Sequence, residues 1–301
     1  FDEHQAHGGK LVDFSGWALP VQFAGILQEH EHTRTKASIF DCSHMGEFRI
    51  QGRNGIEAYD PLVTTDAAGL KVGRARYGAM LNNDGGIIDD LITMRPAEDE
   101  LFVVTNAGPL DRVSTLFTSC VPGLTDVSAE TAKIDIQGPL SRDILAGIGM
   151  AIAQELRYFG LGRTEWEGYP ILLSRTGYTG ELGFELYMPN EAAVPLWRRL
   201  LEHPDVAPAG LGARDTLRLE MGYPLSGQDL DETRTPLEAG QDPFIDWKKE
   251  FTGRAALEKQ RESGGYFILT PIQTDSRRAP RHDFQVYNGD EVVGAVTSGT
   301  Y

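Results

Sequence analysis

The chain is cut into short pieces. Its 34 glycines and 16 prolines are scattered over 301 residues rather than gathered in one linker. They divide the apolar residues into runs that never reach 18, the length a membrane-spanning helix requires. Short strand-like runs alternate with a few helical patterns, which predicts an α+β protein. No internal repeat and no low-complexity segment interrupts that pattern.

The spacing predicts a helix over 20–37 with Pro20 in its first turn, and another near 194–202 opened by Pro195. "SIFDCSHMGEFRIQG" (38–52) reads as a strand with a polar interruption. "GAMLNNDGGIIDDLITMR" (78–95) reads as a hairpin that turns at Asn82-Asn83-Asp84-Gly85. A third strand over 100–108 should lead into a helix over 109–120. "AKIDIQGP" (132–139) reads as strand and turn, and "YPILLSRTGYTGELGFELYMP" (169–189) as two strands around a Gly-rich corner. A helix over 210–222 precedes a polar, loop-like stretch at 227–250. After 264 the pattern turns to short strands, which places a domain boundary near 255–265.

The charge balance narrows the partners. Lys and Arg number 28 against 44 Asp and Glu, a net charge of −16. Such a surface repels phosphate backbones and anionic lipid, so neither nucleic acid nor a membrane is an expected partner. An anionic ligand must find a local cluster of arginines. Cys42 and Cys120 sit in apolar sequence and read as buried, reduced thiols. No CxxC, GxSxG, Walker A, HExxH or GxGxxG pattern is present. His30 and His32, two apart on a helix, point in different directions, and no metal site is expected.

Three stretches carry candidate chemistry. In Gly85-Gly86-Ile87-Ile88-Asp89-Asp90-Leu91-Ile92, side chains alternate faces along a strand, so Asp90 joins Ile88 and Ile92 while Asp89 joins Ile87 and Leu91. At least one carboxylate is embedded in an apolar stripe and needs a partner, a proton or a ligand. Alternation does not say which of the two is more enclosed. In Arg175-Thr176-Gly177-Tyr178-Thr179-Gly180-Glu181-Leu182-Gly183-Phe184-Glu185, the glycines permit close backbone approach, and Glu185 falls between apolar neighbours. A half-buried carboxylate there can pair with the N–H edge of a flat heterocycle. It can equally be a surface glutamate beside a tight turn. Arg214 and Arg218, four apart, share a helix face. Together they can bind a carboxylate or form salt bridges across a core.

In this order, "GGIIDDL", "GYTGELGFE" and "GLGARDTLRLEMG" resemble the aminomethyltransferase (T-protein) family of the glycine cleavage system. "HGGKLVDFSGWALPVQF", "FDCSHMGEFRI", "VVTNAG", "IQGP" and "SGQDLDETRTPLEAG" are similar to further family motifs in matching order. The resemblance runs from about residue 3 to 260 and resumes at "GAVTSG". It implies a three-domain cloverleaf around a central folate channel, with a C-terminal β-barrel domain expected to be incomplete here. Residues 1–260 would form the folate-binding region as two interleaved parts, about 1–50 with 135–255 and about 51–134. Residues 261–301 would begin the barrel.

The implied reaction takes the aminomethyl group carried on the lipoyl arm of H-protein. It passes the one-carbon unit to tetrahydrofolate and releases ammonia. The folate nitrogen is the nucleophile, which fits the missing Ser or Cys signatures. The protein would supply orientation and a negative charge beside the developing cation. By resemblance Asp90 is the catalytic carboxylate. Glu185 bonds the pterin edge, and Arg214 belongs to the folate site. Tyr178, Tyr77 and Tyr223 line the channel, with Met45 and Asn106 close to the reacting centre. "AGQDPF" (239–244) departs from the pattern, since the family has an apolar, Trp-containing stretch there. A basic patch for H-protein is expected at the channel mouth, from Lys71, Arg74 and Arg76 or from Arg277, Arg278 and Arg281. The expected setting is the cytoplasm of a prokaryote or the mitochondrial matrix of a eukaryote. The same fold also implies two alternatives, a folate-dependent demethylase and a non-enzymatic folate-binding protein. The latter group carries a "KGCYxGQE" turn, to which the nearest phrase here is "LSGQDLDE" (225–232).

Overall fold

The computed structural model describes residues 1–275 and 278–300. The fold is α+β and contains two larger sheets. One has six strands in the order Leu161–Trp166, Tyr169–Ser174, Gly183–Pro189, Thr131–Gln137, Ala37–Asp41 and Val206–Pro208. Its neighbours run antiparallel except the last pair, where Val206 lies parallel beside Ala37. The other has five antiparallel strands in the order Arg74–Leu81, Ile87–Ala97, Glu100–Thr105, Gly46–Gln51 and Leu124–Asp126. The chain gives one strand to the larger sheet and then builds the whole smaller sheet. It returns at Thr131–Gln137 to pair with the strand it left, Phe40 opposite Asp135.

Each sheet covers one face with its own helices. Along Thr131–Gln137, alternation drives Ala132, Ile134 and Ile136 into a core with Leu145 of helix Ser141–Gly147 and Trp197 of helix Asn190–Leu201. In the five-stranded sheet, Phe48 and Leu101 pack on Tyr59 of helix Arg53–Tyr59 and on Phe117 of helix Leu110–Cys120. Full burial of an apolar side chain of this size stabilises by about 1.5–3 kcal/mol. The opposite faces meet in a seam where Met94, Phe102 and Val104 touch Leu161 and Tyr187. The Phe102 and Tyr187 rings cross edge to face with centroids 5.2 Å apart. Met45, Ile92 and Phe159 border both this seam and a large cavity beside it.

The hairpin between Arg74–Leu81 and Ile87–Ala97 follows from its turn residues. Asn82 Oδ1 accepts from the backbone N–H of Asp84 at 3.0 Å and of Gly86 at 2.9 Å. Gly85 takes φ 85, a left-handed conformation that favours glycine. At Gly86 a Cβ would collide with the backbone carbonyl of Glu232, so the loop 229–234 can close on the strand only over a glycine.

Three expectations are corrected. Pro20 does not open a helix. It lies in the two-stranded ribbon Lys10–Phe14 and Trp17–Gln22, where a missing N–H is tolerated at an edge. The helix is Ile26–Thr35, and Glu29 fixes its start by accepting from the N–H of Phe23 at 2.7 Å and of Gly25 at 3.0 Å. Pro195 is not in a first turn either, because the helix begins at Asn190. Its ring forfeits only the single bond to the carbonyl of residue 191. Cys42 is buried as expected, but Cys120 is exposed at the end of its helix.

Helix Arg254–Ser263 spans the region of the expected boundary and buries Leu257 against the hairpin turn at Gly85. Beyond it, Gln285–Asn288 and Glu291–Ala295 form a two-stranded ribbon. No closed barrel is present among the described residues. No helix among them is long and apolar enough to cross a membrane.

Candidate functional site

A cavity of about 1370 Å³ is lined from both sheets and from the segment that follows helix Leu211–Glu220. All eight residues singled out in the sequence line it. Asp90 and Tyr77 come from the hairpin, with Met45 and Asn106 beside them. Tyr178 and Glu185 come from the Gly-rich corner and its returning strand, Arg214 from the helix, and Tyr223 from the loop after it. Of the expected docking cations, Lys71, Arg74, Arg76, Arg278 and Arg281 are not among the lining residues, and Arg277 lies outside the described residues.

On the hairpin wall, Asp90 faces the cavity with Ile88 and Ile92. Asp89 is the more enclosed of the pair, with no exposed surface. Asn106 ties the two together: its Nδ2 donates to Asp90 Oδ1 and Asp89 Oδ1, each at 2.8 Å, and its backbone N–H donates to Asp89 Oδ2 at 3.0 Å. Ser226 Oγ reaches Asp89 Oδ1 at 3.2 Å. Tyr77 donates its hydroxyl to Asp90 Oδ2 at 3.0 Å. Burial pushes the Asp90 carboxyl above the usual range despite these donors. Asp89 is pushed well above it by burial and then by the charge of Asp90. A carboxylate with raised basicity, held by a phenol and an amide and flanked by isoleucines, can take up a proton or face a developing cation.

On the other wall, Glu185 accepts three hydrogen bonds and keeps acceptor capacity at Oε1. Lys133 Nζ lies 2.9 Å from Oε1, while Thr176 Oγ1 at 2.5 Å and Tyr187 OH at 3.0 Å donate to Oε2. Burial pushes the Glu185 carboxyl up, but Lys133, the Thr176 hydroxyl and the Arg214 charge outweigh it and hold it below its usual range. Lys133 also bonds Asp135 Oδ1 at 2.6 Å, and Arg214 Nη1 lies 3.3 Å from Asp135 Oδ2. Two cations, Lys133 buried and Arg214 half-buried, thus balance two buried anions. Breaking one member would leave a buried charge unpaired, at a cost of about 3–5 kcal/mol. Arg214 also sits over the Tyr178 ring at 4.9 Å, and Tyr223 stacks with that ring at 6.0 Å and 23°. Beside Arg214, burial and that guanidinium drive the His44 imidazole down to about 3, so it is neutral.

Sequence reasoning passed over Lys133 and Asp135, although their alternation with Ala132, Ile134 and Ile136 marks a strand with one charged, inward face. It also passed over Gln241. That residue is 4% exposed, lines the cavity, and donates Nε2 to the Tyr77 hydroxyl at 2.6 Å. Phe244 meets the Tyr77 ring edge to face at 4.8 Å. The stretch 239–244, which departs from the family pattern, therefore forms one wall.

Comparison with known proteins agrees with this architecture. Residues 1–249 match the family described as GCVT N-terminal domain. The chain is 42% identical over 309 residues to an aminomethyltransferase of Bacillus cereus (strain AH187), covering 100% of this chain and 84% of that protein. It is 41% identical over 308 residues to an aminomethyltransferase of Halalkalibacterium halodurans, with the same coverage. The crystal structure of the glycine cleavage system aminomethyltransferase T from Bartonella henselae superposes with a TM-score of 0.90. That protein is 31% identical, and the match covers 100% of this chain and 84% of that one.

Proposed function

Because the chain belongs to the aminomethyltransferase family of glycine cleavage T-proteins, we propose that its cavity transfers the one-carbon unit of an aminomethyl group from the lipoyl arm of H-protein to tetrahydrofolate. The balance closes without a redox partner. The carbon's bonds to sulfur and to the amine break, and bonds to the two folate nitrogens form. The two hydrogens from those nitrogens end on the sulfur and on the departing ammonia. Products are methylenetetrahydrofolate, ammonia and dihydrolipoyl H-protein.

The residues present fit a reduced pterin. Glu185 is held ionised and accepts only, as an N–H/NH₂ edge requires, and Tyr178 backed by Arg214 offers a flat face. The cavity exceeds the roughly 300–1,000 Å³ of ordinary single-ligand pockets, which leaves room for a second group to enter. Bound tetrahydrofolate would supply the nucleophilic nitrogen. Asp90 holds a negative charge beside the reacting carbon and accepts a proton at a carboxylate oxygen. Tyr77 and Asn106 hold that carboxylate in one orientation. Ile88 and Ile92 exclude water around it, where a fixed charge acts most strongly.

The observation that carries this reading is Asp90, oriented by Tyr77 and Asn106 in an isoleucine-flanked wall of the cavity that also holds the ionised Glu185. The test is formation of methylenetetrahydrofolate from aminomethyl-loaded H-protein by the wild type and by Asp90→Asn. The variant is expected to lose about 10²–10⁴ in kcat, the range of a positioned acid or base, with folate affinity retained. Full activity in the variant would remove Asp90 from the chemistry. A wild type that binds folate but does not use H-protein would favour the demethylase or the non-enzymatic folate protein.

A further inference from the structure

Asp90 has a second carboxyl beside it. Asp89 is buried, is not among the cavity-lining residues, and bonds to residues that also hold Asp90. Asn106 Nδ2 stands 2.8 Å from Oδ1 of each. The Ser226 hydroxyl bonds Asp89 Oδ1 at 3.2 Å and is close enough to Asp90 to act on that carboxyl too. Neither carboxyl forms an ion pair with a Lys, Arg or His among the described residues. The guanidinium groups that line the cavity are committed elsewhere, Arg214 to Asp135 and Arg218 to Asp215 and Asp229. The titratable groups facing the pair are phenols: Tyr77 from the neighbouring strand, Tyr178 from the Gly-rich corner and Tyr59 from helix Arg53–Tyr59. Burial drives all three upward, so they stay neutral.

Two enclosed carboxylates that share one amide and no cation cannot both stay charged. One proton for the two removes the conflict. Ser226 suits such a pair. A hydroxyl carries one hydrogen and accepts two, so it can donate to one member while it accepts from the other. We propose that Asp89 is a positioning residue which, bridged by Ser226, makes Asp90 half of a proton-sharing pair. The pair begins with one proton and one negative charge. As the bond from the transferred carbon to the amine breaks, its electron pair stays on nitrogen and Asp90 supplies the proton that completes ammonia. Both carboxylates are then charged, beside the carbon as it develops positive charge. The folate nitrogen closes the new bond with its lone pair and gives up its hydrogen, as a proton, to Asp90. The pair has regained its one proton, and Ser226 redistributes it. No oxidant or further reactant is needed. This rests on the aminomethyl-transfer reading above.

Infrared difference spectra read the pair apart from activity. At neutral pH, wild type minus Asp89→Asn and wild type minus Asp90→Asn are each expected to show the loss of one protonated carboxyl, because removing either member leaves the other charged. The subtraction cancels protonated carboxyls outside the pair, Glu47 included. A band that survives the loss of Asp90, or no band in either difference, overturns the pair. The pH profile of kcat gives a second reading. A one-proton pair is active between two ionisations, so wild type follows a bell whose limbs both belong to the pair. Asp89→Asn is expected to lower kcat about a hundredfold and to replace the bell by one limb that rises with pH, with folate affinity retained. A merely structural Asp89 would lower the bell without changing its shape, and that outcome overturns the assignment. Should the Asp89 variant not fold, Ser226→Ala keeps both carboxyls and cuts the bridge. It is expected to lower kcat about tenfold, and Ser226→Thr, which restores the hydroxyl, to recover it. A Thr variant no better than the Ala variant overturns the bridge. A wild type that shows the shared band but no transfer from H-protein overturns the transfer reading and leaves the pair standing.

Discussion

Asp41 and Asp90 are both withdrawn from water, and their acidities move in opposite directions. Burial pushes Asp41 up, but His4 Nε2 at 2.8 Å and the N–H of Ser43 at 3.0 Å outweigh it and bring the carboxyl to about 2. At Asp90 burial wins over Tyr77 and Asn106. Glu47 has no hydrogen-bond partner for either oxygen among the described residues, and burial pushes it well above the usual range. The Asp41 shift has a consequence for stability. Its folded value lies below the ordinary 3.8, so its contribution is fully present above about pH 4 and is lost as pH falls toward 2. The size is about 2 kcal/mol. Urea unfolding at pH 5 and pH 2.5 should show wild type losing about that much more than Asp41→Asn over the interval. Equal losses would mean that the His4 and Ser43 contacts do not hold in solution. Residues of this kind were legible where a motif kept them together, as with Asp90 beside Gly85-Gly86 and Glu185 behind the Gly-rich corner. Gln241 was not, because its importance arises only when a loop approaches Tyr77 from about 160 residues further along the chain.

Elements were legible where turn chemistry is local. The Asn82–Gly85 turn, the strand into helix Leu110–Cys120, and the corner between Tyr169–Ser174 and Gly183–Pro189 all follow from neighbouring residues. Both prolines misled. A proline fits where an N–H would have no bond to make, which a ribbon edge offers Pro20 as well as a first turn would, and at Pro195 the helix goes on with one bond lost. Gly86 marks the opposite situation, a place where a side chain is not possible. The N–H of Ile87 bonds the carbonyls of Asp231 and Arg234 at 3.1 and 3.0 Å, which draws the loop onto the hairpin. Gly86→Ala should force that loop away at about 1–3 kcal/mol, lowering Tm by about 5 °C. Scanning calorimetry measures this, and an unchanged Tm would show that the loop is not held there. Because the loop carries Leu230 and Asp231 into the cavity wall, activity should fall with it.

At the scale of the whole molecule, the two sheets are joined by the seam through Phe102 and Tyr187, and that seam leads to the site. Tyr187 presents its ring to Phe102 and its hydroxyl to Glu185. Phe102→Ala should cost about 3–5 kcal/mol in denaturant unfolding, as large core truncations do. It should also weaken folate binding, because Tyr187 loses its backing. A destabilised variant with unchanged folate affinity would separate the seam from the site. Neither the facing of the sheets nor the seam was legible in the sequence. Alternation tells which side of a strand is apolar, and both faces of Glu100–Thr105 are buried, so the pattern carries no sign of which neighbour covers which face.

The larger sheet cannot close its centre early. Phe40 and Asp135 face each other across about 95 residues of intervening chain, and closing so long a loop is slow and entropically costly. The intervening segment is itself the five-stranded sheet, and once condensed it brings the two ends within reach. Loop-closure entropy therefore sets an order of assembly during synthesis. The wall that carries Asp90 forms from contiguous chain as it leaves the ribosome. The wall that carries Glu185 must wait, and the cavity comes into being only when the second is laid against the first.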